Sequence, residues 1–257
     1  MRSIWKGSIG FGLVNIPVKL YSAVQNSRLD LDMLDSRDHA HIKFQRINEN
    51  TRKEVPFDKI VKGYHLDDDY IILEDQDFED ASPEKTKVIE IENFVNLDAI
   101  NPMYYETSYY SEPETQGRKA YALLLQALKK SKQAGVARFV LRSSENLCVI
   151  HPVENVIVIT KIRFAQEIRS SEDILSPTDI NISKKELDVG LALIKQYTSE
   201  FKIDQFKDEY TDELLKIIKA KSKGKRPTIK KMKVEKPKGD DLYDQLRESL
   251  TKTRKGA

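Results

Sequence analysis

Residues 5–21 read WKGSIGFGLVNIPVKLY, and the alternation within this stretch decides the fold class. Ile9, Phe11 and Leu13 alternate with Ser8, Gly10 and Gly12, the period of a strand with one buried face. After Leu13 the apolar set moves to Val14, Ile16, Val18 and Leu20. A change of phase predicts a bulge or a sharp bend, because a one-residue slip turns every side chain to the other face. Gly7, Gly10 and Gly12 would let the chain turn a barrel corner, and Pro17 argues against an ordinary central-strand position. The stretch is expected to be the first strand of a coiled sheet or small barrel.

Further strands are expected at residues 70–73, 88–95, 103–110, 136–142, 147–151 and 156–164. Between them, residues 117–134 predict a helix with Ala120, Leu124, Ala127 and Leu128 on one stripe, joined by Tyr121, Leu123 and Leu125, and Gly135 is placed to end it. Tyr104, Tyr105, Tyr109 and Tyr110 fall on alternate faces of their strand and read as core and surface tyrosines rather than base-stacking groups. Arg138 and Arg142 share one face of their strand and Lys161 and Arg163 one face of theirs, so a phosphate-tracking patch and ordinary surface charge are both open there.

Residues 27–38 are polar and read as a loop, residues 41–47 alternate like a strand, and residues 54–64 return as extended chain. This hairpin-like excursion carries Lys43, Arg46, Arg52, Lys53, Lys59 and Lys62 with little apolar content to bury. It is either a solvated hairpin balanced by Glu49, Glu54 and Asp58, or an arm that faces a polyanion.

In the last third, Ser183 and Glu186 form an S-x-x-E capping box ahead of Leu187, Leu191 and Ile194. Phe201 and Phe206 lead into a second helix through Tyr210, Leu214, Leu215 and Ile218. Residues 221–238 are rich in Lys, Pro and Gly and read as a flexible linker. From Asp240 an amphipathic helix is expected, with Leu242, Leu246 and Leu250 beside Tyr243 and Arg247. Such a helix beyond a linker is a docking peptide for another protein, or folds back onto its own domain.

Composition restricts the function. With 39% hydrophobic and 33% charged residues among 257, no apolar run of about 20, and no signal-peptide pattern in residues 1–6, a soluble cytoplasmic protein is expected. Cys148 is the only cysteine and sits in apolar NLCVIHP, so it reads as a buried structural thiol. The scattered His39, His41, His65 and His151 predict no metal site. The net charge of +2 conceals an asymmetry: residues 219–238 hold ten Lys or Arg against one Glu, so the chain before them is net acidic. Any basic groove must be local. No phosphate loop, nucleophile elbow or H-E-x-x-H is present, and Asp67, Asp68 and Asp69 read as a turn rather than a magnesium site. The expectation is a binding protein with no catalytic residues, cofactor or metal. Its rivals are a metal-dependent phosphoesterase using residues 67–69 and an architectural nucleoid protein that binds DNA through residues 219–238.

The opening WKGSIGFGLVNIPVKLYSA resembles the signature of the bacterial Ku family. Further blocks follow in that family's order: IVKGY at residues 60–64, NPMYYETSYYSEP at 101–113, KAYALLLQAL at 119–128, RFVLR at 138–142 and FKIDQFKDEYTDELLKIIKAK at 201–221. DDLYDQLRESLTKTRK, from residue 240, resembles the terminal motif by which this family recruits a multidomain DNA ligase.

The resemblance implies a mainly β fold: a Ku-type β-barrel core over residues 1–180, a bridge inserted at about 27–75, a helical dimerisation arm at 181–220, a basic linker at 221–239 and a ligase-docking helix at 240–257. It implies a homodimer whose barrels form a cradle closed into a ring by the inserted hairpins, threaded by double-stranded DNA ends without regard to sequence. Lys19, the six hairpin cations, Arg138, Arg142, Lys161 and Arg163 would face DNA, and Leu242, Tyr243, Leu246, Arg247 and Leu250 would face the ligase. Many family members carry cysteines in the segment matching residues 38–55, and this chain has none, so a zinc-stabilised hairpin tip is not expected.

Overall fold

The computed structural model describes residues 1–81, 87–141, 144–172, 174, 180–225 and 242–251. The opening stretch forms two strands, β1 (Trp5–Phe11) and β2 (Val14–Ser22), joined by a two-residue turn. The register pairs Ile9 with Ile16 and Phe11 with Val14. A two-residue turn makes odd-numbered residues oppose even-numbered ones, so the inward set passes from Ile9 to Ile16, Val18 and Leu20 without a bulge. The expected bent single strand is thus a hairpin. Gly12 supplies the positive φ, 58°, at the first turn residue. Pro17 is tolerated because the β2 pairing on its other side starts only at Val18.

Seven strands close the barrel. After β1 and β2 come a two-stranded hairpin, β3 (Lys62–Leu66) and β4 (Asp69–Leu73), and a short helix α1 (Asp75–Asp80). The barrel resumes with β5 (Val88–Asn96), β6 (Tyr105–Pro113), helix α2 (Arg118–Ser131), β7 (Gln133–Leu141), β8 (Ser144–Val153) and β9 (Val156–Ile162). The strand order is β1-β2-β6-β9-β8-β7-β5, antiparallel except where β5 pairs with β1 to close it. Closure leaves no unpaired barrel edge. At that seam Gly7 lies so close to the Lys87 carbonyl and the Trp5 ring that an added Cβ would sit 2.2 Å from each.

The barrel is filled by Ile9, Ile16, Val18, Leu20, Ile89, Phe139, Ile150, Ile157 and Ile159, with Leu124 and Leu128 of α2 packed against them. Tyr121 anchors α2 chemically: its hydroxyl donates to the Ser111 carbonyl at 2.9 Å and accepts from the Ile157 N–H at 2.7 Å. These are the groups left over where the β6–β9 ladder stops at Tyr110 and Val158. Burial raises the Tyr121 pKa, opposed by its hydrogen bonds. The helix ends at Lys132, which takes the left-handed conformation itself (φ 55°), whereas Gly135 lies inside β7 beneath Ile91 and Phe94. Outside the barrel, Ala134, Val149 and Ile162 form a second small core with Leu97, Ile100, Tyr104 and Tyr105. Cys148 is fully buried, and burial pushes its thiol far above the ordinary range.

The chain divides into two compact units, residues 1–170 and 171–257. The second holds α3 (Lys184–Tyr197), α4 (Glu209–Lys221) and α5 (Leu242–Thr251). The Ser183 capping box forms, with the Ser183 hydroxyl accepting from the Glu186 N–H at 3.3 Å and the Glu186 carboxylate accepting from the Ser183 N–H at 2.8 Å. Those bonds hold the Glu186 carboxyl below its usual range. Among the described residues of this unit none is buried. α5 packs against α3, the fold-back arrangement that the sequence also allowed. The linker at 221–239 falls mostly on residues 226–241, outside the described residues.

Candidate nucleic-acid interface

Residues 23–87 leave the barrel between β2 and β5 and return to the same end of it. At one root the Ala23 N–H donates to the Ser108 carbonyl at 3.0 Å, and at the other the Ser8 N–H donates to the Lys87 carbonyl at 2.8 Å. The chain also leaves β9 at this end, because β9 runs parallel to β2, each being antiparallel to β6.

The insertion has little regular structure. The strand expected at residues 41–47 is absent as a ladder; only isolated pairs join Leu34 to His41 and Ile47 to Glu54. Alternation there had no neighbouring strand to record. The polar tip is nevertheless built. Asn48 Oδ1 accepts from the N–H groups of Asn50 and Thr51 at 3.0 and 2.9 Å, its backbone pairs with Arg52 and Lys53, and Arg52 adopts a left-handed φ of 58°. The turn therefore fixes the backbone of Arg52 and Lys53. Asp67 and Asp68 form the turn between β3 and β4, as expected, with Asp67 left-handed.

No described residue of the insertion is buried. Most of its apolar side chains stand in solvent, including Phe44 (81% exposed), Phe57 (77%) and Tyr70 (68%). Among the described residues, Lys43, Arg46, Arg52, Lys53 and Lys62 have no carboxylate within ion-pair distance, and Lys59 meets Asp58 only at 4.0 Å with both side chains exposed. Arg46 lies 5.3 Å from the Phe57 ring centre and Lys62 4.3 Å from that of Phe78, so aromatic faces orient two cations without neutralising them.

The barrel cations are arranged differently. Arg138 stands on the outer face of β7, between inward-facing Ala137 and Phe139, and pairs with Glu92 at 2.9 Å and Glu145 at 3.7 Å. Lys161 and Arg163 share the inward phase of Ile157 and Ile159 at the barrel's open end, where both pair with Glu106, at 3.0 and 3.5 Å. The Arg163 guanidinium also donates to the Met103 and Tyr105 carbonyls at 3.0 Å. The single patch envisaged for Arg138, Lys161 and Arg163 does not form, because the two strands present them on opposite faces. Arg142 lies outside the described residues.

Lys19, on the outer face of β2, is directly opposite Lys6 of β1 and neighbours Glu112 of β6. Glu112 accepts from the Tyr21 hydroxyl at 2.5 Å. Two like charges facing each other across a ladder are unfavourable unless an anion joins them. The pairing of Lys6 with Lys19 has no signal in the sequence, because only the hairpin register puts the two opposite each other. Of the candidate docking residues on α5, Tyr243, Leu246 and Leu250 are half-buried and Arg247 is exposed; the side chain of Leu242 is not among those described.

No helix among the described residues is long and apolar enough to cross a membrane. A family model described as "Ku70/Ku80 beta-barrel domain" matches residues 10–189. Three similar proteins each bear the name "Non-homologous end joining protein Ku". That of Coxiella burnetii is 39% identical, over 90% of this chain and 86% of its own. That of Bacillus subtilis is 36% identical, over 99% and 83%. That of Archaeoglobus fulgidus is 36% identical, over 97% and 98%.

Proposed function

The chain belongs to the Ku family, and from that premise we propose that it is a non-catalytic, sequence-independent binder of double-stranded DNA ends that works as a homodimer in non-homologous end joining. The observation that carries the reading is the insertion: among the described residues of 23–87, Lys43, Arg46, Arg52, Lys53 and Lys62 have no carboxylate within ion-pair distance, aromatic side chains are exposed and no residue is buried. A segment of this size without a core gains stability by burying its apolar side chains against a second surface. A second copy of the chain supplies that surface, and the two insertions then close a ring over the barrels with the cations turned to its bore. Lys and Arg in such a bore contact phosphates and leave base sequence unread. A closed ring loads only at an end, so end preference comes from topology.

The second unit supports the same reading. Leu187, Leu191, Ile194, Phe201, Ile203, Phe206 and Tyr210 are exposed on helices and turns that lack a core, the composition of an arm that embraces another subunit. In this reading the terminal helix, through Tyr243, Leu246 and Leu250, recruits a multidomain DNA ligase to the loaded end.

A gel shift tests the core of the proposal: one linear duplex with free ends, the same duplex with both ends blocked by streptavidin, and a closed circle as competitor. Binding confined to the open duplex is expected. Equal binding to all three would transfer the function to an architectural role for residues 219–238, whose ten cations face a single Glu.

A further inference from the structure

α3 has two apolar stripes. Leu187, Leu191 and Ile194 form one and remain more than half exposed. Val189, Gly190 and Leu193 form the other at helical spacing; with Glu186, whose carboxylate caps the helix, these are the half-buried positions of α3. The helix packed on α3 is α5. On α5 the half-buried positions are Tyr243, Gln245, Leu246, Ser249 and Leu250, while Arg247 points to solvent. Three of the residues that the ligase-docking reading assigns to a partner, Tyr243, Leu246 and Leu250, are therefore half-buried on a helix that already packs against α3.

A ten-residue helix is marginal in water by itself, so its order depends on the surface it lies on. Because α3 and α5 belong to one chain, their pairing is intramolecular and favoured by an effective concentration that a free partner must outcompete. One apolar stripe cannot serve α3 and another protein at once.

We propose that the Val189–Gly190–Leu193 face of α3 is an internal receptor for α5, so that ligase recruitment requires α5 to leave it. The inference rests on the ligase-docking reading above and adds regulation to it. Apparent affinity for the ligase is lowered by the fraction of chains in which α5 is free. The uncovered stripe of Leu187, Leu191 and Ile194 stays available to the second subunit while α5 is docked, so dimerisation and sequestration of α5 are compatible.

The test compares binding of the purified cognate multidomain ligase to three samples: a synthetic peptide of residues 240–257, the full chain, and the full chain carrying Val189→Asp with Leu193→Asp. Hydrogen exchange of residues 242–251 is followed in the unsubstituted chain and in the peptide. Protection of α5 in the full chain alone is expected, with peptide and double variant binding the ligase on the order of tenfold more tightly than the full chain. Circular dichroism checks that the variant keeps its helices; if it does not, the peptide against the unsubstituted chain still decides. Equal affinities, or an α5 that exchanges as fast as the peptide, would overturn the proposal. Absence of ligase binding by all three samples, with α5 protected, would instead overturn the docking reading and the competition built on it.

Discussion

The barrel and its insertion both carry cations, yet they use them in opposite ways. Arg138, Lys161 and Arg163 belong to a closed sheet, where every residue has neighbours on two adjacent strands, and Glu92, Glu145 and Glu106 reach them from those neighbours. Lys43, Arg46, Arg52 and Lys53 belong to a segment with two isolated strand contacts, and among the described residues no carboxylate comes within ion-pair distance of them. These three sheet cations are neutralised locally, unlike Lys6 and Lys19, which face each other across the β1–β2 ladder. Cations on the insertion stay exposed to solvent.

The largest effect should come from the insertion. Replacing Lys43, Arg46 and Lys53 together by Glu is expected to weaken DNA-end binding on the order of 100-fold and to flatten the salt dependence by about 0.9 in log–log slope per lost phosphate contact. A salt series with unchanged affinity would dissolve the contrast. Next comes a barrel change without a charge: Tyr121→Phe leaves the Ile157 N–H and the Ser111 carbonyl without their tyrosine partner. It should cost about 1–3 kcal/mol, read as a lower melting temperature, with DNA affinity retained. Glu106→Gln sharpens the comparison by releasing Lys161 and Arg163. A partly exposed pair is worth about 1 kcal/mol at most, so stability should fall slightly while DNA affinity rises by less than about threefold. Arg138→Gln should give the smallest response, within about 0.5 kcal/mol in stability and with no change in DNA affinity. If it weakened DNA binding as much as the triple reversal, the barrel face would be the contact surface.

How much of this was legible in the sequence follows the same division. Strands with one buried face announced themselves by alternation, and α2 by the spacing of Tyr121, Leu124 and Leu128. Alternation alone could not distinguish a bulge from a two-residue turn, since both shift the phase; the pairing of Ile9 with Ile16 resolves it. It could not assign partners either, because Glu92 and Arg138 meet only through the β5–β7 register. The helix stop was placed at Gly135 on conformational preference, but Lys132 adopts the left-handed φ and leaves Gly135 to let Ile91 pack closely. In the insertion the cation cluster was legible as composition, and the strand expected over residues 41–47 was not realised because a strand needs a neighbour. The terminal amphipathic helix was legible by its stripe, while its packing on α3 had no local signature.

Only β1 stands between the end of β2 and the start of β5, so the two roots of the insertion are about 10 Å apart, two inter-strand spacings. A linker of a few residues could join them. The barrel closes and fills its core without help from residues 23–87, which makes that stretch exchangeable: length and charge there can vary between relatives, or be redesigned, without renegotiating the fold. What the insertion reaches is thereby uncoupled from the scaffold that carries it.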